Sequence, residues 1–179
     1  MKKFLVVVDM QNDFVDGSLG TPEAVAIVKN VVGKIDEKWD HIYVTYDTHS
    51  EEYMDTLEGK HLPVKHCVKG TEGWKLTSDV EQAVQKAEKE NNNVTRVEKY
   101  TFGAANLPGL IKEQAGSEDY DVTLIGLCTD ICVISNALLI KANDCEKEIY
   151  VVENCTAGVT PETKDAALVT MRSCQINVI

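Results

Sequence analysis

Two thiols four residues apart stand in the stretch Gly126-Leu127-Cys128-Thr129-Asp130-Ile131-Cys132, directly after an apolar run. If Asp130 caps a helix, Cys132 falls in its first turn. There the positive end of the helix and its unpaired N–H groups favour a thiolate and could hold an oxyanion. Two core cysteines around an ordinary turn fit this local pattern equally well. A nucleophilic reading also needs a base and a cation. Asp9 follows the apolar run Phe4-Leu5-Val6-Val7-Val8, a position where a carboxylate must either find a partner or cost stability. It either caps the loop Gln11-Asn12-Asp13 or takes a thiol proton. Lys99, ahead of Tyr100-Thr101-Phe102-Gly103, is a candidate partner for Asp9, although a lysine in a loop is ordinarily just solvated.

A second set of polar residues lies between 47 and 77. Asp47 and His49 are spaced i, i+2, and Glu58 and His66 follow. A mixed carboxylate and imidazole set suits zinc first, with iron or manganese as alternatives, better than magnesium or calcium. Asp47, His49 and His66 are candidate ligands, with Glu58, Glu52, Asp55 and His61 all open for a further position. Four polar residues on a solvated loop are the plain alternative. Cys67, next to His66, should point the other way if that segment is extended.

These residues need a scaffold that brings them together. Phe4–Val8, Ile42–Tyr46, Val122–Ile125 and Ile149–Val152 read as buried strands, with Val94–Val97 and Ile176–Ile179 as weaker ones. Helical spacing runs over 23–39, 79–89, 107–114, 130–141 and 162–173. Thr21-Pro22 and Thr160-Pro161 each set a capping hydroxyl before a first-turn proline. Strands alternating with helices predict a three-layer α/β/α fold with a mainly parallel sheet of about six strands. In such a fold ligands bind outside the carboxyl ends of the strands. Asp9, Asp47, Lys99 and Cys128–Cys132 all follow strands and should converge there. The long segment 47–77, with little regular structure of its own, should lie over the same edge as a functional loop.

Composition narrows the function classes. The chain has 179 residues, 18 Lys+Arg and 29 Asp+Glu, for a formal net charge of −11. This length suits one domain, residues 1–179. The acid excess and the lack of a basic patch argue against nucleic-acid and membrane partners. Met1-Lys2-Lys3 before Phe4–Val8 resembles the start of a secretion signal, but Asp9 and Gln11 interrupt the apolar run. A cytoplasmic location is therefore expected, with most of the six cysteines reduced and structurally buried.

Three segments together resemble the cysteine hydrolases of the isochorismatase-like superfamily, most closely its nicotinamidase branch. They are Val8-Asp9-Met10-Gln11-Asn12-Asp13-Phe14, Lys99-Tyr100-Thr101-Phe102 and Gly126–Val133. The resemblance implies a catalytic triad of Asp9, Lys99 and Cys132. It also implies an oxyanion hole from the backbone N–H groups of Cys128 and Cys132, with a cis peptide before Cys128. The Asp47–His49 pair and Pro63-Val64-Lys65-His66-Cys67 match that branch's metal ligands, with Glu58 in its variable position. Phe14 and Phe102 match ring-contacting positions, with Tyr100 and Trp74 near in sequence. One departure is Leu62, where nicotinamidases commonly carry a Trp.

The implied activity is hydrolysis of a small-molecule amide, nicotinamide to nicotinate and ammonia, by a homo-oligomer holding one divalent transition metal. Two rivals remain at this stage. One is a related hydrolase of a carbamoyl or ureido compound, which would lack the metal ligands. The other, from a different class, is a thiol redox or sensing protein using Cys128 and Cys132.

Overall fold

The computed structural model describes residues 1–91 and 93–179. The elements in chain order are β1 (Lys2–Val8), α1 (Asn12–Val15), α2 (Pro22–Ile35), β2 (His41–Asp47), α3 (Leu57–His61), α4 (Ser78–Asn91) and β3 (Val94–Lys99). They continue with α5 (Leu107–Ala115), β4 (Tyr120–Leu127), α6 (Ile134–Asn143), β5 (Glu148–Ala157), α7 (Pro161–Ser173) and β6 (Asn177–Val178). The six strands form one sheet in the order β3-β2-β1-β4-β5-β6, and every pairing is parallel.

β1 shows why the sheet lies in the middle. All five residues from Phe4 to Val8 are fully buried, because alternate side chains enter different cores. Phe4, Val6 and Val8 pack with Leu107, Ile111, Ala137, Ile140 and Leu168, from α5, α6 and α7. Leu5 and Val7 pack with Ile27, Val31, Val80 and Val84, from α2 and α4. The three-layer arrangement follows directly. From β1 the chain moves outward to β2 and β3, then returns to β4 on the other side of β1. The carboxyl ends of β1 and β4 therefore flank the crevice where the winding direction reverses.

Both threonine caps form as the sequence predicts. Thr21 accepts the Ala24 N–H, and Thr160 exchanges bonds with Thr163 in a capping box. Other boundaries shift. α2 stops at Ile35 instead of running to Trp39, because the Trp39 indole folds back and donates to the Lys34 carbonyl at 2.8 Å. The 47–77 segment contains a 3-10 turn at Tyr53–Asp55 as well as α3, whose N-cap Thr56 accepts the Gly59 N–H.

Asp130 does not cap the helix that follows β4. Cys128 occupies the N-cap position, and its carbonyl accepts from Ile131 and Val133 in a π-turn over Thr129–Val133. The Asp130 carboxylate instead accepts the Val159 N–H at 3.1 Å, tying the loop after β5 to this turn. All six cysteines are free thiols; Cys67, Cys132 and Cys155 are buried and Cys128 half-buried, while Cys145 and Cys174 are exposed. Among the described residues, no helix is long and apolar enough to cross a membrane.

Candidate active site

Strand register sets the site. Asp47 and Lys99 are direct neighbours at the ends of β2 and β3, and Val8 faces Gly126 at the ends of β1 and β4. Asp9 directly follows Val8, and Cys128 follows Leu127, the last residue of β4. Asp9 takes a left-handed backbone with φ 47°, and the Leu127–Cys128 peptide is cis. Gly126 has φ 109°, and a Cβ there would lie 2.1 Å from the Val8 carbonyl oxygen, so only glycine allows β4 this close to β1.

Lys99 lies at the centre of the buried charges. Its Nζ is 2.7 Å from Asp9 Oδ2, 2.9 Å from Asp47 Oδ1 and 3.4 Å from Cys132 Sγ. Asp9 and Lys99 are 0% and 2% exposed, so solvent screens this group little. Burial opposes the charge on Lys99, but Asp9, Cys132 and Asp47 together outweigh it and hold the ammonium charged. Burial raises Asp9 above the ordinary carboxylate range, with Lys99 opposing and Asp47 adding to the rise. Thr45, on β2, donates its hydroxyl to Asp9 Oδ1 at 2.6 Å and fixes the carboxylate's direction.

Burial also pushes the Cys132 thiol well up, with Asp9 adding to the rise and Lys99 opposing it. Burial therefore works against the thiolate that a helix start alone would favour, and a nucleophilic Cys132 needs a base for its proton. Cys128 is likewise raised to about 12, chiefly by burial.

Four donor residues gather beside this group. Asp47, His49, Glu58 and His66 each offer one ligand atom, and these atoms lie within 4.8 Å of one another. Asp47 Oδ2 is 2.8 Å from His49 Nε2 and 3.6 Å from His66 Nε2, and Glu58 Oε1 is 3.7 Å and 3.9 Å from the same nitrogens. His66 Nδ1–H donates to the Val64 carbonyl at 2.7 Å, which leaves Nε2 as a lone-pair donor facing the cluster. Burial would raise Asp47, but its bond to His49, the nearby His66 imidazole and the charge of Lys99 hold it well below the usual carboxylate range. Two imidazoles and two carboxylates with this orientation fit a divalent transition metal. Glu52, Asp55 and His61 fall outside the cluster. Cys67 is also outside it, though not because its segment is extended: its φ is 46°, and its N–H donates to Asp13 Oδ2 at 2.8 Å.

A cavity of about 200 Å³ opens onto both groups. Its lining takes in Asp47, Glu58 and His66 as well as Cys128 and Cys132, with apolar Phe14, Leu62, Phe102, Ile131 and Val159. Phe14 packs against His66 with ring centroids 5.4 Å apart. Leu62, at the position of the sequence departure, therefore belongs to the wall. Trp74 and Tyr100 do not. Trp74 bonds Thr48 and lines a wider open groove of about 780 Å³ beside Tyr46 and Arg96, which contains none of Asp9, Lys99 or Cys132. Tyr100 is exposed.

Three supporting residues were not assigned from the sequence, although Gln11 lies in the first of the matching segments. Thr45 is one of several threonines in β-rich segments. Gln11 accepts the Asp47 N–H through Oε1 and donates to the Asp47 and Trp74 carbonyls. Tyr53 is fully buried against both the His49 and His66 rings, at 4.7 and 4.9 Å, and donates to the Leu62 carbonyl. Periodicity in an irregular loop does not distinguish such a tyrosine from an exposed one.

A doubly wound parallel sheet with a buried carboxylate, lysine and thiol at its switch point defines an α/β protein built for thiol chemistry. A family model described as the isochorismatase domain matches residues 3–179, and the chain belongs to that family. Its similarities run to the nicotinamidases within it. It is 27% identical over 190 residues to a nicotinamidase/pyrazinamidase of Mycobacterium tuberculosis, covering 98% of this chain and 97% of the relative. Among solved structures it is similar to a pyrazinamidase/nicotinamidase of Streptococcus mutans, with TM-score 0.85 and 28% identity over 99% of each chain. It is also similar to a pyrazinamidase of Pyrococcus horikoshii solved in complex with zinc, with TM-score 0.81, 25% identity and coverage of 100% and 99%.

Proposed function

We propose that this protein is a metal-containing cysteine amidohydrolase that converts nicotinamide to nicotinate and ammonia. The observation that carries this reading is Lys99, whose ammonium contacts Asp9, Cys132 and Asp47 at once, two of which, Cys132 and Asp47, line a small apolar cavity together with Glu58 and His66 of the donor cluster.

The residues divide the work as their environments dictate. Asp9, held by Thr45, takes the proton from Cys132, and the neighbouring Lys99 stabilises the thiolate as it forms. The thiolate attacks the carboxamide carbon, and the backbone N–H groups of Cys128 and Cys132 are assigned to the oxyanion. Asp9 returns its proton to the departing ammonia, leaving a thioester. Water then adds to the thioester carbon, giving up a proton to Asp9. Collapse releases nicotinate and restores the thiol. Phe14 and Phe102 are assigned to the faces of the substrate ring. Asp47, His49, Glu58 and His66 would hold the metal, zinc first among the candidates. Once bound, it supplies a Lewis acid beside the ring, able to anchor a pyridine nitrogen.

The high proton affinity of both Cys128 and Cys132 runs against a redox pair, which needs a thiolate at neutral pH. The test is ammonia release from nicotinamide alongside a panel of amides and ureides. Wild type should act on nicotinamide, and Cys132→Ala should be inactive while keeping the same circular dichroism spectrum. Turnover by that variant would remove Cys132 as nucleophile, and wild-type activity confined to ureides would overturn the substrate.

A further inference from the structure

Phe102 lies on a segment with few ties of its own. The strand pairing ends at Lys99, whose carbonyl accepts the Thr48 N–H at 3.0 Å, and the next helix, α5, begins at Leu107. Between them, among the described residues, a single side chain hydrogen-bonds the backbone of 100–104, and it belongs to Asn136. This asparagine sits on α6, four residues after Cys132, and is fully buried. Its Oδ1 accepts the Ala104 N–H at 2.9 Å. Its Nδ2 donates to the Phe102 carbonyl at 3.3 Å and to the Cys132 carbonyl at 2.8 Å. One N–H and two carbonyls around the amide allow only this orientation of its oxygen and nitrogen.

We propose that Asn136 is a positioning residue that clamps the Phe102 wall of the pocket to the turn bearing Cys132, and so sets where a substrate ring sits relative to the sulfur. The proposal deepens the amidohydrolase reading and rests on it for its kinetic arm. Lys99 is anchored separately by its register with Asp47. Loss of the clamp therefore falls on the ring wall and leaves the thiol's charge partners in place. A purely structural asparagine would lower stability without altering ring selectivity.

The test compares wild type with Asn136→Ala, Asn136→Thr, Phe102→Ala and the Asn136→Ala/Phe102→Ala pair. The threonine can fill the site and back-bond to the Cys132 carbonyl but cannot span to Phe102 and Ala104, so it carries the same readout if the alanine variant does not fold. Two readouts are used. The first is kcat/KM for nicotinamide, expected to fall about 10- to 100-fold in each single variant, as misplacement on this scale does. The double variant should lose no more than Phe102→Ala alone, because Asn136 acts through that residue. The second is the rate at which Cys132 is alkylated, followed by peptide mass spectrometry, with iodoacetamide as the small reagent and phenacyl bromide as the ring-bearing one.

Wild type should show a preference for the ring-bearing reagent. The Asn136 variants should lose it while their iodoacetamide rate stays within about twofold of wild type. Additive losses in the double variant, or an unchanged reagent preference in the Asn136 variants, would overturn the proposal. A wild type with no ring preference would overturn it too. A wild type that prefers the ring reagent, loses that preference with Asn136, and releases no ammonia from nicotinamide supports the clamp and refutes the substrate reading.

Discussion

Replacing Lys99 by methionine removes the cation that lies between Asp9 and Asp47, while the methionine keeps most of the buried stem. Two carboxylates, 0% and 4% exposed, then lose a partner at 2.7 and 2.9 Å. Asp47 still has His49 and His66. Asp9 is left with only neutral partners, the Thr45 hydroxyl and the Cys132 thiol. Breaking a buried ion pair from one side costs about 3–5 kcal/mol, because the charge left behind has no compensation. For a chain of this size each kcal/mol lowers Tm by ~2–4 °C, so Lys99→Met should melt about 6–20 °C below wild type. The compensating change is Asp9→Asn, which removes the stranded charge and still accepts the Thr45 hydroxyl. The double variant Asp9→Asn/Lys99→Met should therefore recover most of the lost stability, while all three variants remain inactive for want of a base or its cation. Asp9→Asn alone should cost less than Lys99→Met, since Lys99 keeps Asp47. Thermal melts followed by circular dichroism measure each corner of this cycle. A Lys99→Met protein that melts with wild type, or a double variant no more stable than Lys99→Met, would refute the electrostatic account.

Metal content offers a separate check. After dialysis wild type should retain zinc at close to one ion per chain, about the occupancy of a site with four protein donors, while His49→Ala and His66→Ala should lose it, read by plasma mass spectrometry. Retention of zinc by His66→Ala would show that the ion binds elsewhere. A pH effect is expected at the opposite end of the sheet. Burial raises Asp121 above its ordinary 3.8, with Lys3 opposing and Asp119 and Asp40 adding. The folded state then holds this proton more tightly than the unfolded chain, so stability falls as pH rises from 3.8 through the raised folded-state value. Asp121→Asn should accordingly raise Tm at pH 7 and lose that advantage as pH falls toward 3.8, with equal gains at both extremes contradicting the burial argument.

What could be read from the sequence was whatever repeats along the chain. Continuous apolar runs identified the strands, and the buried β1 shows why those runs are unbroken, since both faces are covered. The polar residues just past each run were legible because a parallel sheet gathers strand ends at one edge. The long loop holds three histidines and six acids between 47 and 77, so its composition pointed to metal binding while the family resemblance, not the count, singled out Asp47, His49, Glu58 and His66. The rest depended on distant partners. Asp130 looks like a cap locally, yet its carboxylate has Val159 within reach from 29 residues away. The ending of α2 turns on one indole folding back. The thiol's resting state could not follow from helix position alone, because burial and Asp9 act more strongly on Cys132.

Strand register then explains why chemistry on separate segments forms one site. A shift of one residue between β2 and β3 would turn Asp47 or Lys99 to the opposite face of the sheet, where the α2 and α5–α7 layers face different cores. On β2 the register is held by side chains buried on both faces, Tyr43 in one core and Ile42, Val44 and Tyr46 in the other, and on β3 by Val97 and Lys99, so the core and the site are set by the same pairing. Asp47 joins the two halves: its Oδ1 meets Lys99 at 2.9 Å and its Oδ2 meets His49 at 2.8 Å. Its backbone is pinned from both sides, with Gln11 accepting its N–H and donating to its carbonyl. A carboxylate serving the thiol's cation through one oxygen and the donor cluster through the other makes the two groups a single electrostatic unit. A change in charge on either side must reach the other through about one carboxylate's width, well inside the ~8 Å screening length of physiological salt and in a site water barely enters.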